Sequence, residues 1–320
     1  MPRPKPDSGR HSAYLRSLTY RLPAVYQDLD ELASRDLIHS EPATLAEFGF
    51  RQSFAFEPAE FEDAWLEVGR EALRGGEIEP EKVDWLLMYS GLPESADVDD
   101  DPLRLFRYRS SRLQHELGLR RSRTLALSQQ GCSGLLSSID LACRLVAAEP
   151  SGTALCLVGD MLPATSRREI MYSLMSDAVA AVVVQQGAGR NRVRKYSELT
   201  QPYYWDPSAH PDELLAAYFP LAQRAIRNCL ASTTKTAEDI RWFVPHNVSV
   251  RSWEILARLI GIQAESVWAQ NISRVGHTVT CDHIINLVDM EKAGALKPGD
   301  DLLLFTFGFG ARWSCLLLER

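Results

Sequence analysis

Thr124-Leu125-Ala126-Leu127-Ser128 is followed by Gln129-Gln130-Gly131-Cys132-Ser133-Gly134 and then by an almost wholly apolar run to Ala148. The first five residues read as a strand, the glycines as a tight turn, and Cys132 to Ala148 as a helix. A strand, a turn and an apolar helix within about 25 residues form a unit of an α/β fold. Cys132 opens the helix. Free N–H groups and partial positive charge at a helix N-terminus favour the nucleophilic thiolate over the thiol, so Cys132 is the first candidate for chemistry.

The same rhythm extends to both sides. Phe61 to Leu73 has helical spacing and stops at Gly75-Gly76. Val83 to Tyr89, Ala154 to Gly159 and Asp177 to Gln185 are short apolar runs, which predict buried strands. A helix is expected from about Arg104 to Leu117. In the second half, helices are predicted over Leu214–Ala231, Val250–Ile260 and Asp282–Ala293, and a strand over Trp242–His246. Two more strands, Leu302–Phe307 and Trp313–Leu318, flank the hairpin signal Gly308-Phe309-Gly310. No linker rich in Pro, Gly or Ser separates the halves, so they are expected to share one core.

The 320 residues are 45% hydrophobic and 24% charged, which excludes a disordered or collagen-like chain. A formal charge of −7 argues against a nucleic-acid binder. No run of about 18 apolar residues is present, so no transmembrane helix is expected. Met1 to Arg10 is polar and lacks the apolar stretch of a signal peptide, and residues 1–12 read as a disordered tail. Six cysteines are scattered without a C-x-x-C pair, the pattern of reduced thiols in a cytoplasmic protein.

Three histidines stand at strand-end and loop positions of such a fold. His246 ends a predicted strand in Val244-Pro245-His246-Asn247, and His277 lies in Arg274-Val275-Gly276-His277-Thr278, with Asp282 and His283 soon after. Strand ends are where α/β sheets bind ligands. His277 with Asp282 reads either as an oriented acid–base pair or as a helix-capping network. Metal binding by His277, Asp282 and His283 fits no standard spacing, so no metal is expected.

Four stretches, in order, resemble the β-ketoacyl-acyl-carrier-protein synthase III (KAS III) family of the thiolase superfamily. They are Gly131-Cys132-Ser133-Gly134, Ser176-Asp177-Ala178-Val179-Ala180-Ala181-Val182, Pro245-His246-Asn247 and Phe307-Gly308-Phe309-Gly310-Ala311-Arg312-Trp313. The second has lost most of the glycines usual there. The resemblance runs from about residue 80 to the end and implies a thiolase-like αβαβα five-layered sandwich with two pseudo-symmetric halves. The expected division is a tail over 1–12, an N-terminal half over 13–186 carrying the nucleophile, and a C-terminal half over 187–320 carrying the histidines. The family forms homodimers, so a homodimer is expected, with no nucleic acid or membrane partner.

The family's triad is Cys-His-Asn. Cys132 and His246 match its first two members. The family's Gly-Asn-Thr-Ser is here Gly276-His277-Thr278-Val279, so His277 replaces the asparagine, and register excludes Asn271. Asp282 would sit near His277 at the start of the next helix. The resemblance assigns the oxyanion hole to the backbone N–H groups of Cys132 and Phe309, and acyl-carrier-protein docking to Arg251 and Arg258. No cofactor is implied; acyl-CoA or a phosphopantetheinyl acyl-carrier protein is the substrate. The family's adenine-stacking Trp is absent from the matching run Asp30-Glu31-Leu32, which favours the carrier protein.

A carboxylate beside His277 would turn it from a fixed donor towards a base. The expectation is therefore an acyltransferase of natural-product biosynthesis, polyketide or fatty-acid in type. It would load an acyl group on Cys132 and pass it to a hydroxyl or amine. Decarboxylative Claisen condensation with malonyl-carrier protein is the alternative, and a non-catalytic acyl-binding subunit a further one. Tyr203-Tyr204-Trp205 and Met171 to Met175 are candidate walls of the acyl tunnel.

Overall fold

A computed structural model describes residues 12–92, 103, 106–149, 152–171, 173–187 and 189–320. Of the tail expected over 1–12, all but Ser12 lies outside the described residues, as does Arg104. The first half holds β1 (Ala13–Arg21), β2 (Tyr26–Asp28), α1 (Leu29–Ser34), α2 (Pro42–Glu47), β3 (Gln52–Phe54), α3 (Pro58–Gly75), β4 (Trp85–Tyr89), α4 (Arg109–Glu116), β5 (Arg123–Leu127), α5 (Gly134–Val146), β6 (Thr153–Asp160), β7 (Glu169–Ile170), β8 (Ser173–Leu174) and β9 (Ala178–Gln186). The second half holds β10 (Arg192–Thr200), α6 (Pro211–Ala231), β11 (Ile240–Pro245), α7 (Val250–Ile260), α8 (Gln270–Val275), α9 (Asp282–Lys292), β12 (Asp301–Gly308) and β13 (Arg312–Glu319).

The main sheet runs β11-β12-β13-β10-β1-β9-β6-β4-β5. It divides into two halves at the β1–β10 seam, where Tyr14 pairs with Arg192. Outward from β1 the pairings are antiparallel to β9, antiparallel to β6, parallel to β4 and parallel to β5. Outward from β10 they repeat: antiparallel to β13, antiparallel to β12, parallel to β11. Val267 makes a parallel bridge to Phe243 where a fifth strand would stand. The repeated order is an internal two-fold pseudosymmetry.

Strand alternation sorts side chains into layers. On β9, Ala178, Ala180, Val182 and Val184 face the cluster containing α5 and α9, while Val179, Ala181 and Val183 face that containing α3. On β12, Leu302 and Leu304 point to the first cluster, and Leu303, Phe305 and Phe307 to the cluster of α6 and α7. The result is five layers: α3 with α4, a half-sheet, α5 with α9, a half-sheet, and α6 with α7. With both faces covered, β6, β9 and β12 read as continuous apolar runs.

Some expectations shift. The helix expected over Cys132–Ala148 begins as a 3₁₀ turn over Gly131–Ser133 and becomes α-helical only at Gly134. β1 and β10 carry many polar residues, which hid them from an apolar-run reading. The described residues contain no helix long and apolar enough to cross a membrane.

Gly134 is fixed by packing: a Cβ there would lie 1.9 Å from the Tyr89 ring. Gly134→Ala is expected to destabilise the fold by at least about 1–3 kcal/mol in urea unfolding. Gly189→Ala, whose Cβ would meet only Tyr14 at 3.4 Å, is expected to change stability by less than about 0.5 kcal/mol. Equal stability of the two variants would contradict this packing.

Candidate active site

The turn bearing Cys132 is held from below by Tyr89, whose hydroxyl donates to the Gly131 carbonyl (2.7 Å) and accepts from the Gln130 N–H (3.1 Å). From above it meets the β12–β13 hairpin. Gly131 has φ +51°, and a Cβ on it would lie 2.9 Å from the Phe309 nitrogen. Thr306 donates to the Cys132 carbonyl at 3.3 Å. Cys132 and Phe309, one from each half of the molecule, thus lie side by side.

His277 reaches the same spot from the loop ahead of α9, the pseudo-symmetric counterpart of α5. Its backbone forms a parallel bridge with Met175: its N–H donates to Leu174 and its carbonyl accepts from Ser176, both at 2.8 Å. Its Nε2 stands 3.2 Å from Cys132 Sγ, and its Nδ1 2.6 Å from Asp282 Oδ2. Asp282 is fully buried at the first position of α9. It also accepts from the Thr278 N–H (2.7 Å), the Thr278 hydroxyl (2.6 Å) and the Asn247 N–H (2.7 Å). Burial alone would push the Asp282 carboxyl upward, but the His277 charge and these donors hold it well below the usual carboxylate range. Burial likewise pushes His277 down, and the Asp282 and Cys132 charges overrule it, leaving the imidazole well above its ordinary value.

His246 follows β11 directly. It is 2% exposed, and neither ring nitrogen has a partner. Its ring lies edge-on to His277 with centroids 5.2 Å apart and packs on Trp253 at 5.1 Å. Burial, with the His277 charge behind it, holds His246 well below its ordinary value, so it is neutral. The two histidines therefore stand in opposite protonation states.

Cys132, His246, His277 and Phe309 line a cavity of about 480 Å³. Its wall includes Met171, Met175, Trp205 and Leu214, so the two loop segments expected to bound a tunnel do meet there. Trp205, Leu215 and Met171 are 75%, 61% and 50% exposed, which places them at the mouth. Tyr218 on α6 also lines the cavity, packed edge-on to Phe307, and nothing in the sequence singled it out. Ser249 and Ser252 bring the start of α7 to the rim. Arg251 lies in that first turn, exposed, 3.5 Å from Glu47; Arg258 is exposed in the last turn of α7.

Two other residues weighed in the sequence fall elsewhere. His283 turns away, with Nε2 3.1 Å from the Phe305 carbonyl. Asn271 is buried against Asn286 and Arg274, outside the cavity. The trio His277, Asp282 and His283 does not converge; among the described residues the converging donors are Cys132, His246 and His277.

The layers and the repeated strand order define a thiolase-like fold, with a cysteine at the start of its central helix. The family described as 3-oxoacyl-[acyl-carrier-protein (ACP)] synthase III, C terminal, matches residues 230–320. The β-ketoacyl-[acyl-carrier-protein] synthase III of Aquifex aeolicus is 24% identical over 265 residues, 79% of this chain and 82% of that protein. That of Desulfotalea psychrophila is 22% identical over 232 residues, covering 65% and 71%. Among solved structures, the acyltransferase ChlB3 superposes with a TM-score of 0.84 at 19% identity, covering 96% of this chain and 97% of that one. The 3-oxoacyl-[acyl-carrier-protein] synthase III of Aquifex aeolicus gives 0.82 at 19%, covering 96% and 100%. Xanthomonas campestris OleA gives 0.80 at 18%, covering 97% and 99%. The chain thus resembles the synthase III proteins in sequence, most specifically over residues 230–320, and has the fold of the solved synthase III, ChlB3 and OleA structures.

The buried histidines set a pH prediction. Burial holds His283 down, to about 4. In the unfolded chain it takes a proton below about 6.5. Its folded pKa is depressed, so its stability contribution is full above about 6.5 and falls with pH until about 4. At pH 5.5 the loss is roughly 1 kcal/mol. In urea unfolding, His283→Gln should lose less stability than wild type between pH 7.5 and 5.5. The same loss in both would contradict the assignment.

Proposed function

We propose that the protein is an acyltransferase. Cys132 would receive an acyl group from a carrier-protein or CoA thioester and pass it to a hydroxyl or amine, in natural-product assembly of polyketide or fatty-acid type. The observation that carries this reading is the line Cys132–His277–Asp282, with contacts of 3.2 and 2.6 Å. A base oriented by a carboxylate and touching the nucleophile is the arrangement acyl transfer requires.

In this reading the Cys132 thiol proton already rests on His277 Nε2, and Asp282 holds the resulting imidazolium. The Cys132 thiolate attacks the thioester carbonyl, and the C–S bond of the donor breaks. The departing thiolate takes the proton from His277. Acylation removes the negative charge on Cys132, one of the influences that raise His277, so the imidazole is returned to a base at the step that needs one. It then takes the proton of the acceptor hydroxyl or amine as that atom attacks the acyl-Cys132 carbonyl. Collapse expels the Cys132 thiolate beside the reformed imidazolium. The N–H groups of Cys132 and Phe309 are assigned to the developing oxyanion, and neutral His246, with both nitrogens unpartnered, to a hydrogen bond with the acyl carbonyl or acceptor.

Arg251, exposed beside the rim residues Ser249 and Ser252, supports docking of an acidic carrier protein at that end of α7, with Arg258 further along. The half-exposed edge strand β5 supports a homodimer built by pairing two copies of that edge. No cofactor is invoked. Decarboxylative condensation remains the second reading, favoured by the synthase III relatives and by the neutral His246 as a donor to an enolate.

Intact-mass analysis with acyl thioesters should show one acyl group, absent from Cys132→Ala. Asp282→Asn should slow transfer by about 10²-fold or more while remaining folded. His277→Asn, which recreates the family's asparagine, should not rescue transfer. Rapid release of carbon dioxide from malonyl-carrier protein by the wild type would overturn the acyltransferase reading in favour of condensation.

A further inference from the structure

We propose that Cys132, His246 and His277 form a binding site for a thiophilic divalent cation, Zn²⁺ foremost, and that occupancy blocks acylation. The inference goes beyond the acyl-transfer reading: it concerns the same side chains but needs only their geometry.

The three donor atoms lie within 4.8 Å of one another. In a tetrahedral zinc site with Zn–S near 2.3 Å and Zn–N near 2.0–2.1 Å, neighbouring donors are about 3.3–3.6 Å apart. The Sγ–Nε2 pair already stands at 3.2 Å, so the centre needs only side-chain adjustments of about an ångström or less to accept the ion. One thiolate and two imidazoles suit Zn²⁺ and disfavour Mg²⁺ or Ca²⁺, which take oxygen.

The surroundings fit the same ion. His277 meets Asp282 through Nδ1, the carboxylate–histidine arrangement that fixes the ring and points Nε2 at a metal. His246 is 2% exposed, and both of its nitrogens lack partners, so it can ligate without giving up any contact. A buried imidazole with no hydrogen bond is costly to keep, and coordination offsets that cost. The remaining coordination position faces the cavity of about 480 Å³, so the site is of the open, three-ligand kind. Binding displaces to solvent the single proton of the Cys132–His277 pair, held on His277 Nε2, and commits the sulfur lone pair to the metal, leaving no nucleophile.

Co²⁺ serves as a spectroscopic stand-in for zinc. Full-length protein freed of metal with EDTA, then of EDTA, is titrated with Co²⁺ and afterwards with Zn²⁺. The expected result is one equivalent of tetrahedral cobalt with a thiolate-to-cobalt charge-transfer band, displaced by Zn²⁺. The band should be absent in Cys132→Ser, and Asp282→Asn should bind about 10–100-fold more weakly. Stoichiometric Zn²⁺ should slow iodoacetamide labelling of the Cys132 peptide at least about 10-fold, reversed by EDTA, because the bound sulfur is no longer a free thiolate. A cobalt spectrum without the thiolate band, an identical spectrum in Cys132→Ser, or labelling unaffected by Zn²⁺ would overturn the site. Acylation of the metal-free protein is measured separately. Cobalt binding without acylation would remove the acyl-transfer reading and leave this inference standing, and acylation without cobalt binding would do the reverse.

Discussion

Everything at the centre of this molecule turns on one buried carboxylate. Asp282 is fully enclosed, and an uncompensated charge there would cost several kcal/mol. It is tolerated because His277, the Thr278 backbone and hydroxyl, and the Asn247 backbone all face it within 2.6–2.7 Å. Each of those partners is fixed in turn. The Asn247 side-chain oxygen accepts from Asn286 on α9, which also donates to the Pro245 carbonyl ahead of His246. The loop carrying His246 and the loop carrying His277 are thereby tied to the same helix.

That hub sits where the duplicated architecture brings it. α5 and α9 occupy the central layer and share one apolar cluster. Their N-terminal ends carry Cys132 and Asp282, so the pseudosymmetry sets a nucleophile from one half against an acid–base pair from the other. A second buried carboxylate strengthens the junction. Asp160 at the end of β6 accepts from Ser90, Gly91 and Leu92 on one side and from Thr280 on the other. Gly91, Leu92 and Val279 line the cavity, so its wall beside Cys132 is assembled from both halves by one side chain.

The sequence carried much of this because fully covered strands and the glycine turn leave plain marks. β6, β9 and β12 are buried on both faces and read as apolar runs; the turn at Cys132 needs glycine at Gly131 and at Gly134. Asp282 could be placed near His277 because five residues across a helix start span a short distance. What stayed hidden depends on long-range packing. β1 and β10 form the seam between the halves, yet Arg192–Thr200 alternates charge with apolar residues and looks like surface. Tyr89 supports the nucleophile turn through its hydroxyl, but in sequence it is one aromatic at a strand end. Tyr218 enters the cavity from α6, a helix whose facing side no local pattern fixes. The proximity of His277 to Cys132, 145 positions apart, follows from the fold alone.

The central claim is that His277, held by Asp282, carries a proton beside Cys132 while His246 does not. Nitrogen-15 NMR of histidine-labelled protein at neutral pH tests this directly, with His277→Gln and His246→Gln used for assignment. The account predicts an imidazolium at His277, protonated on both nitrogens and losing that state in Asp282→Asn, together with a neutral His246. A neutral His277 at pH 7, or a charged His246, would contradict it.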